Sequence, residues 1–281
     1  MSKLVADPEE IKLAISKIQG LQVPSPPALL LNISNELTKP EPDKVKIIGL
    51  INEDIALSGK ILQIVNSPAY GLRNKVKSVE HATNLLGLPR LKTQVVAGAL
   101  RYALEKSLPG FEAISEYSHC VGIGAQLLSN DIEELSSEDA YIAGLFHEAG
   151  TMMMLQLYDD YREFYNQNRN QPYTFIKEEV SRYTVSHTVI GFMLAYRWKL
   201  SNSVCNAIYL SHTLLDNVDE EIKTLVATLN LGAAISNENV LGLSCNAGDE
   251  CERFKQDAMN FLDLDEDKLM DVSDKFNELI A

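Results

Sequence analysis

Apolar residues recur along this chain at helical spacing and almost never alternate. Ile11, Ile15 and Ile18 fall four and three apart behind Asp7-Pro8-Glu9-Glu10, which supplies an N-cap, a proline at the first helical position and an early glutamate. Val23-Pro24-Ser25-Pro26-Pro27 interrupts the pattern. A second helix is predicted through Leu37, and Lys39-Pro40-Glu41-Pro42 breaks it. Helices follow over 43–52 and 54–66, then a turn-rich loop over 67–75. Ser78 opens a short helix ending near Gly87, and Pro89 starts a long one to about 108. Pro109-Gly110 is the strongest breaker and divides a lobe over 1–108 from a second over 109–236. The second lobe reads as helices over 112–129, 137–155, 157–168, 174–183, 184–198, 201–213 and 219–237, with Ser137 and Ser201 as caps. A polar, glycine-containing linker and two amphipathic helices, 250–262 and 265–280, make up a tail over 237–281. The predicted class is all-α, a two-lobed helical bundle.

Charge changes this picture mainly at the end. The chain carries −14 overall, and residues 249–281 hold eleven acids against four bases, half of that total. The tail reads as a solvated face or as a docking surface for a basic partner. No cluster of lysine and arginine marks a nucleic-acid surface, so nucleic acid is excluded as a partner. No run is long and apolar enough to span a bilayer, and the N-terminus lacks a signal pattern, so the expected location is cytoplasmic, off the membrane. The cysteines, Cys120, Cys205, Cys245 and Cys251, show no CxxC pairing and are expected to be reduced.

Candidate chemistry rests on histidine. Of five, four lie in the second lobe, each on a different predicted helix: His119, His147, His187 and His212. A bundle core can gather such side chains around a metal, and they can equally be structural. HExxH fails because position 151 is threonine, and no phosphate-binding glycine loop or GxSxG elbow occurs. Gly122 and Gly124 form a lone GxG inside a helix and read as close helix packing. His81, on the short helix opened by Ser78, carries no assigned chemistry.

Several segments resemble one known family. Ala-Tyr-Ile-Ala-Gly-Leu-Phe-His-Glu-Ala-Gly over 140–150 resembles the His-Asp motif of the HD superfamily of metal-dependent phosphohydrolases. VNSPAYGL at 65–72, SVEHATNLLG at 78–87, VPSPPALL at 23–30, YSHCVGIGAQLL at 117–128 and VSHTVIGFMLAYRWKLS at 185–201 narrow the likeness to the HD-related output domain (HDOD) family of bacterial signalling proteins. The resemblance covers about residues 20–235 and implies an HD-like core in the second lobe. It also implies a metal set of His119, His147 and the acid at 148, with His187 and His212 near the positions of further ligands.

The departures bear on function. Aspartate is replaced by Glu148, one methylene longer, and metal–oxygen distances tolerate only about 0.2 Å. The late aspartate of catalytic relatives falls on Asn230 or Leu231, and neither has a carboxylate. Two readings stay open. One is a non-catalytic signalling module that binds a signalling protein or a small, for instance phosphorylated, ligand. The other is a metal-dependent phosphohydrolase with manganese, iron or zinc activating water, and with Arg182, Arg197 or Lys199 facing the phosphate.

Overall fold

The computed structural model describes residues 3–21, 23, 26–37, 39–66, 75–107, 112–133, 135–243 and 249–280. Among them every regular element is helical. In chain order these are α1 (Pro8–Lys17), α2 (Ala28–Leu37), α3 (Lys44–Glu53), α4 (Ile55–Val65), α5 (Val79–Ser107), α6 (Glu112–Ser129), α7 (Ser137–Phe146) and α8 (Ala149–Leu157). They continue as α9 (Tyr161–Asn168), α10 (Pro172–Tyr183), α11 (His187–Arg197), α12 (Asn202–Tyr209), α13 (Glu220–Val240), α14 (Glu250–Phe261) and α15 (Glu266–Ile280). No helix among the described residues is long and apolar enough to cross a membrane.

The chain forms two compact units. The larger contains Met1–Val23 and Glu112–Phe276, the smaller Pro24–Phe111 and Asn277–Ala281. This division differs from the expected 1–108, 109–236 and 237–281. The first helix packs on α11, and Asn206 on α12 binds the chain ahead of it, accepting from Val5 N at 3.1 Å and donating to Lys3 O at 2.7 Å. The first helix of the acidic tail, α14, packs on α13 and α10.

Local signals act as their chemistry dictates. Asp7 accepts from Glu9 N at 2.8 Å, with Pro8 at the first helical position, and Asp43 caps α3 through Lys46 N at 3.1 Å. Ser201 caps α12 through Val204 N at 3.3 Å. The cap of α7 is Ser136, not Ser137: its hydroxyl accepts from Asp139 N at 3.1 Å, the reach that a residue one place earlier has. In the smaller unit Gly87 takes φ 74° and ψ 170°, so α5 is two helical arms joined there, with Pro89 opening the second. Asn66 bridges to Val76, donating to its carbonyl at 2.8 Å and accepting from its amide at 2.7 Å. The motif between them, 67–74, lies outside the described residues, as does Tyr70.

The core of the larger unit is built on glycine contacts. A Cβ on Gly144 would lie 2.5 Å from Gly122 Cα, and one on Gly232 would lie 2.7 Å from Ala125 N. α6 therefore packs backbone-to-backbone against α7 and α13, which explains the Gly122/Gly124 pair. Met152, Met153 and Met154 are all fully buried and fill the core beneath it. Trp198 packs edge-on against Phe146 with ring centroids 5.6 Å apart.

Candidate functional site

The single helix expected over 137–155 is broken at His147-Glu148. α7 ends at Phe146, Glu148 adopts φ −95° and ψ 6°, and α8 begins at Ala149. The apolar period continues through the break, so the pattern conceals it. Locally the cause is a side chain replacing backbone: His147 Nδ1–H donates to Gly144 O at 2.7 Å, satisfying a carbonyl at the end of α7. Gly150 then lets α8 meet α11, since a Cβ there would sit 1.9 Å from His187 O.

The break presents both side chains to a cavity of about 30 Å³, lined by His147, Glu148, Tyr117, Tyr165, His212 and Phe254 among others. Glu148 is 4% exposed; its Oε1 accepts from Tyr165 OH at 3.2 Å and lies 3.7 Å from His147 Nε2, while Oε2 has no partner. Tyr117 OH donates to Asn237 Oδ1 at 2.9 Å. Burial, and then the charge of Glu148, push both phenols far up, so they remain neutral donors. Burial also lowers the His147 pKa, and lowers that of His212 well below its ordinary 6.5, helped by His187 and His147.

His187 stands behind His212, ring centroids 5.1 Å apart. It opens α11 and is bound to Glu179, a fully buried carboxylate that accepts from His187 N at 3.1 Å, from Nδ1 at 2.9 Å and from Tyr161 OH. Burial opposes charge on this ring, but the charge of Glu179 and its hydrogen bond outweigh it and raise the pKa. His187 Nε2 and both ring nitrogens of His212 are buried without partners. His212 is not helical as expected: α12 stops at Tyr209 and the ring projects from the turn that follows. His119 lies in mid-α6, its Nδ1 3.0 Å from Tyr141 OH, and it is not among the residues lining the cavity.

The position expected to carry the late acid lies on α13 and faces the same turn. Asn230 is 2% exposed, and the end of its amide faces Val226 O and Ser211 O; with the nitrogen turned toward them, the orientation that satisfies both carbonyls, it donates to Val226 O at 3.3 Å and to Ser211 O. In that orientation it clips α13 to the residue before His212, a task that an ionised carboxylate, which only accepts, cannot perform. Leu231 is fully buried. Of the five residues expected at a metal site, His147, Glu148 and His212 line one cavity, His187 stands behind His212, and His119 is not on the cavity wall. Among the described residues, no three His, Cys, Asp or Glu side chains are grouped so as to hold an ion.

Two further expectations change. Arg182 is exposed and pairs with Asp160 at 2.5 Å, and neither it, Arg197 nor Lys199 lines the cavity; Arg169 does. Cys251, also on the cavity wall, is disulfide-bonded, while Cys120 and Cys205 are free and buried. The expectation of four reduced thiols is corrected accordingly. The tail closes the cavity from one side. Glu250 caps α10, accepting from Tyr173 N at 3.1 Å and Thr174 N at 2.9 Å, and Phe254 stacks on His212 at 6.2 Å.

Sequence reasoning missed Glu179, Tyr117, Tyr165, Arg169 and Asn237. Tyr117 and Glu179 carry a weak signal, each preceding a candidate histidine, by two and eight positions. The others carry none, being gathered from separate helices.

The HDOD domain model matches residues 23–214, more than half of the chain. The chain belongs to the HDOD family. A protein of Treponema pallidum (strain Nichols), itself uncharacterised, is 27% identical over 223 residues, which is 78% of this chain and 43% of that protein; the chain thus spans less than half of that relative. An HDOD domain protein of unknown function from Geobacter sulfurreducens superposes with a TM-score of 0.71 at 21% identity, covering 96% of this chain and 98% of the other. A phosphohydrolase candidate from Shewanella amazonensis SB2B gives 0.71 at 18% identity, covering 95% and 98%. At such identities the two structures establish a shared HDOD fold.

Proposed function

We propose that this HDOD chain is a non-catalytic bacterial signalling module, which acts by binding a signalling protein or a small ligand rather than by cleaving phosphoesters. The observation that carries the reading is Asn230. Where the resemblance puts the last carboxylate of a hydrolytic HD site, this chain has Asn230, whose amide end faces two backbone carbonyls, or the apolar Leu231, and neither supplies a carboxylate. Glu148, one atom longer than aspartate, spends one oxygen on Tyr165. Lewis-acid activation of water needs about three protein ligands with positions left open, and the reading is supported by the absence of such a group among the described residues.

The rival reading, a metal-dependent phosphohydrolase, has one feature in its favour. The Glu179–His187 pair resembles the way a carboxylate orients a metal-bound imidazole. Here the pair backs onto another histidine instead of a converged ligand set. The test is hydrolysis of p-nitrophenyl phosphate and bis(p-nitrophenyl) phosphate with manganese, ferrous iron or zinc added. The expected result is turnover indistinguishable between the natural chain and His147→Ala. Turnover abolished by His147→Ala would replace this reading with the hydrolase.

A further inference from the structure

A second cavity, of about 150 Å³, adjoins the first and shares Tyr117, Tyr165 and Arg169 with it. One wall comes from α9 and its cap. Arg162, Asn166 and Arg169 are four and three apart, so they lie on one helical face, and Arg169 keeps helical φ −59° and ψ −18°. Facing them are Ile114 and Tyr117 of α6, with Leu155 and Leu241 completing an apolar floor. It opens to solvent, with Arg162 and Asn166 exposed at its rim.

The arginines are the informative feature. The chain has 39 acids for 25 bases, yet neither Arg162 nor Arg169 is ion-paired with a carboxylate among the described residues. Arg182, in the last turn of α10, shows the alternative: it is held by Asp160. Arg169 is instead held by stacking, its guanidinium carbon 5.7 Å from the Tyr165 ring centroid, which leaves the donor fork free. Two unpaired guanidinium groups on one cavity wall are matched to a carboxylate or phosphate, which each can grip through two parallel hydrogen bonds. In a chain this acidic, an anion finds a favourable local potential only where such cations stand together.

We propose that this cavity binds a small organic oxyanion: the carboxylate or phosphate sits between Arg162 and Arg169, with Asn166 as a further polar contact. Its apolar body lies on Ile114, Leu155 and Leu241. The proposal rests on the reading of the chain as a binding module and names the class of ligand. It assigns no reaction to the site.

The experiment is calorimetric titration with phenyl phosphate, benzoate and uncharged benzyl alcohol. The targets are the natural chain and the double variant Arg162→Gln/Arg169→Gln, whose folding is checked by its melting temperature. Expected is saturable 1:1 binding of at least one anion, weakened at least tenfold in the double variant, with no saturable binding of benzyl alcohol. The stronger of the two anions distinguishes phosphate from carboxylate recognition. As a measurement independent of any variant, the bound anion is expected to protect Arg162 and Arg169 of the natural chain from phenylglyoxal, read by mass spectrometry. Binding of neither anion, unchanged binding by the double variant, or equal binding of benzyl alcohol would overturn the proposal. Any of these would leave the non-catalytic reading standing, since that depends on hydrolysis and not on this cavity.

Discussion

Restoring the superfamily's acid by Asn230→Asp is expected to damage this protein rather than repair it. The substitution changes an amide NH₂ to an oxygen with almost no change in shape. In its place Asn230 donates to the carbonyls of Val226 and Ser211 at 2% exposure. Losing each bond costs about 1 kcal/mol net, and leaving a buried acceptor unmet adds about 1–3 kcal/mol, so the variant should lose roughly 3–5 kcal/mol. An ionised carboxylate against two carbonyl oxygens is worse still, which raises the folded pKa of the new aspartate above its ordinary value of about 3.9. A raised folded pKa means the folded state holds the proton more tightly. The deficit relative to the natural chain is therefore smallest in acid, where the carboxyl is neutral and can donate once, and grows as pH rises through the folded pKa. The assay is urea unfolding followed by fluorescence of Trp198, the only tryptophan, which is buried in the larger unit and reports that unit alone. An unfolding midpoint equal to that of the natural chain from pH 5 to pH 8 would refute the clip.

Three further outcomes are expected. Gly150→Ala places a Cβ 1.9 Å from His187 O and 2.8 Å from Gly191 N, both backbone atoms of α11, and should cost on the order of 3 kcal/mol or more by the same urea assay. His212→Phe removes two buried, unpartnered nitrogens. Because the folded pKa of His212 lies below 6.5, its contribution to stability is full above that value and is lost as pH falls below it; the variant should therefore show a shallower acid loss than the natural chain, measured from pH 8 to pH 5. Glu250→Ala removes the cap of α10 and should cost about 1–2 kcal/mol, with faster amide exchange at 173–175 and across α14.

Much of the architecture was legible in the chain because local chemistry dictates it. Asp7-Pro8, Ser78 and Ser201 announce helix starts, the Gly87–Pro89 joint announces a bend, and consecutive buried methionines announce a core. The site was legible only as a set of residue types. Hydrophobic periodicity runs unbroken through 143–155, so it could not show that His147 ends one helix by binding Gly144. Nor could spacing reveal that His187 answers to Glu179 across the left-handed Thr184, or that His212 sits on a turn. The substitution at 230 was visible, but its meaning was not. That depends on two carbonyls, one of them nineteen residues earlier, which only the packing of α13 against the turn after α12 brings within reach. The grouping of residues 1–23 with the larger unit escaped for the same reason: Asn206 and α11, far along the chain, hold them.

The most direct test of the central claim is the metal content of the purified chain. It would be measured by elemental analysis after dialysis and then by titration with manganese, ferrous iron and zinc, in parallel with His147→Ala. Less than stoichiometric metal is expected, with a melting temperature that titration does not move. One equivalent of metal in the natural chain, absent from His147→Ala, would contradict that claim and establish the histidine cavity as a working metal centre.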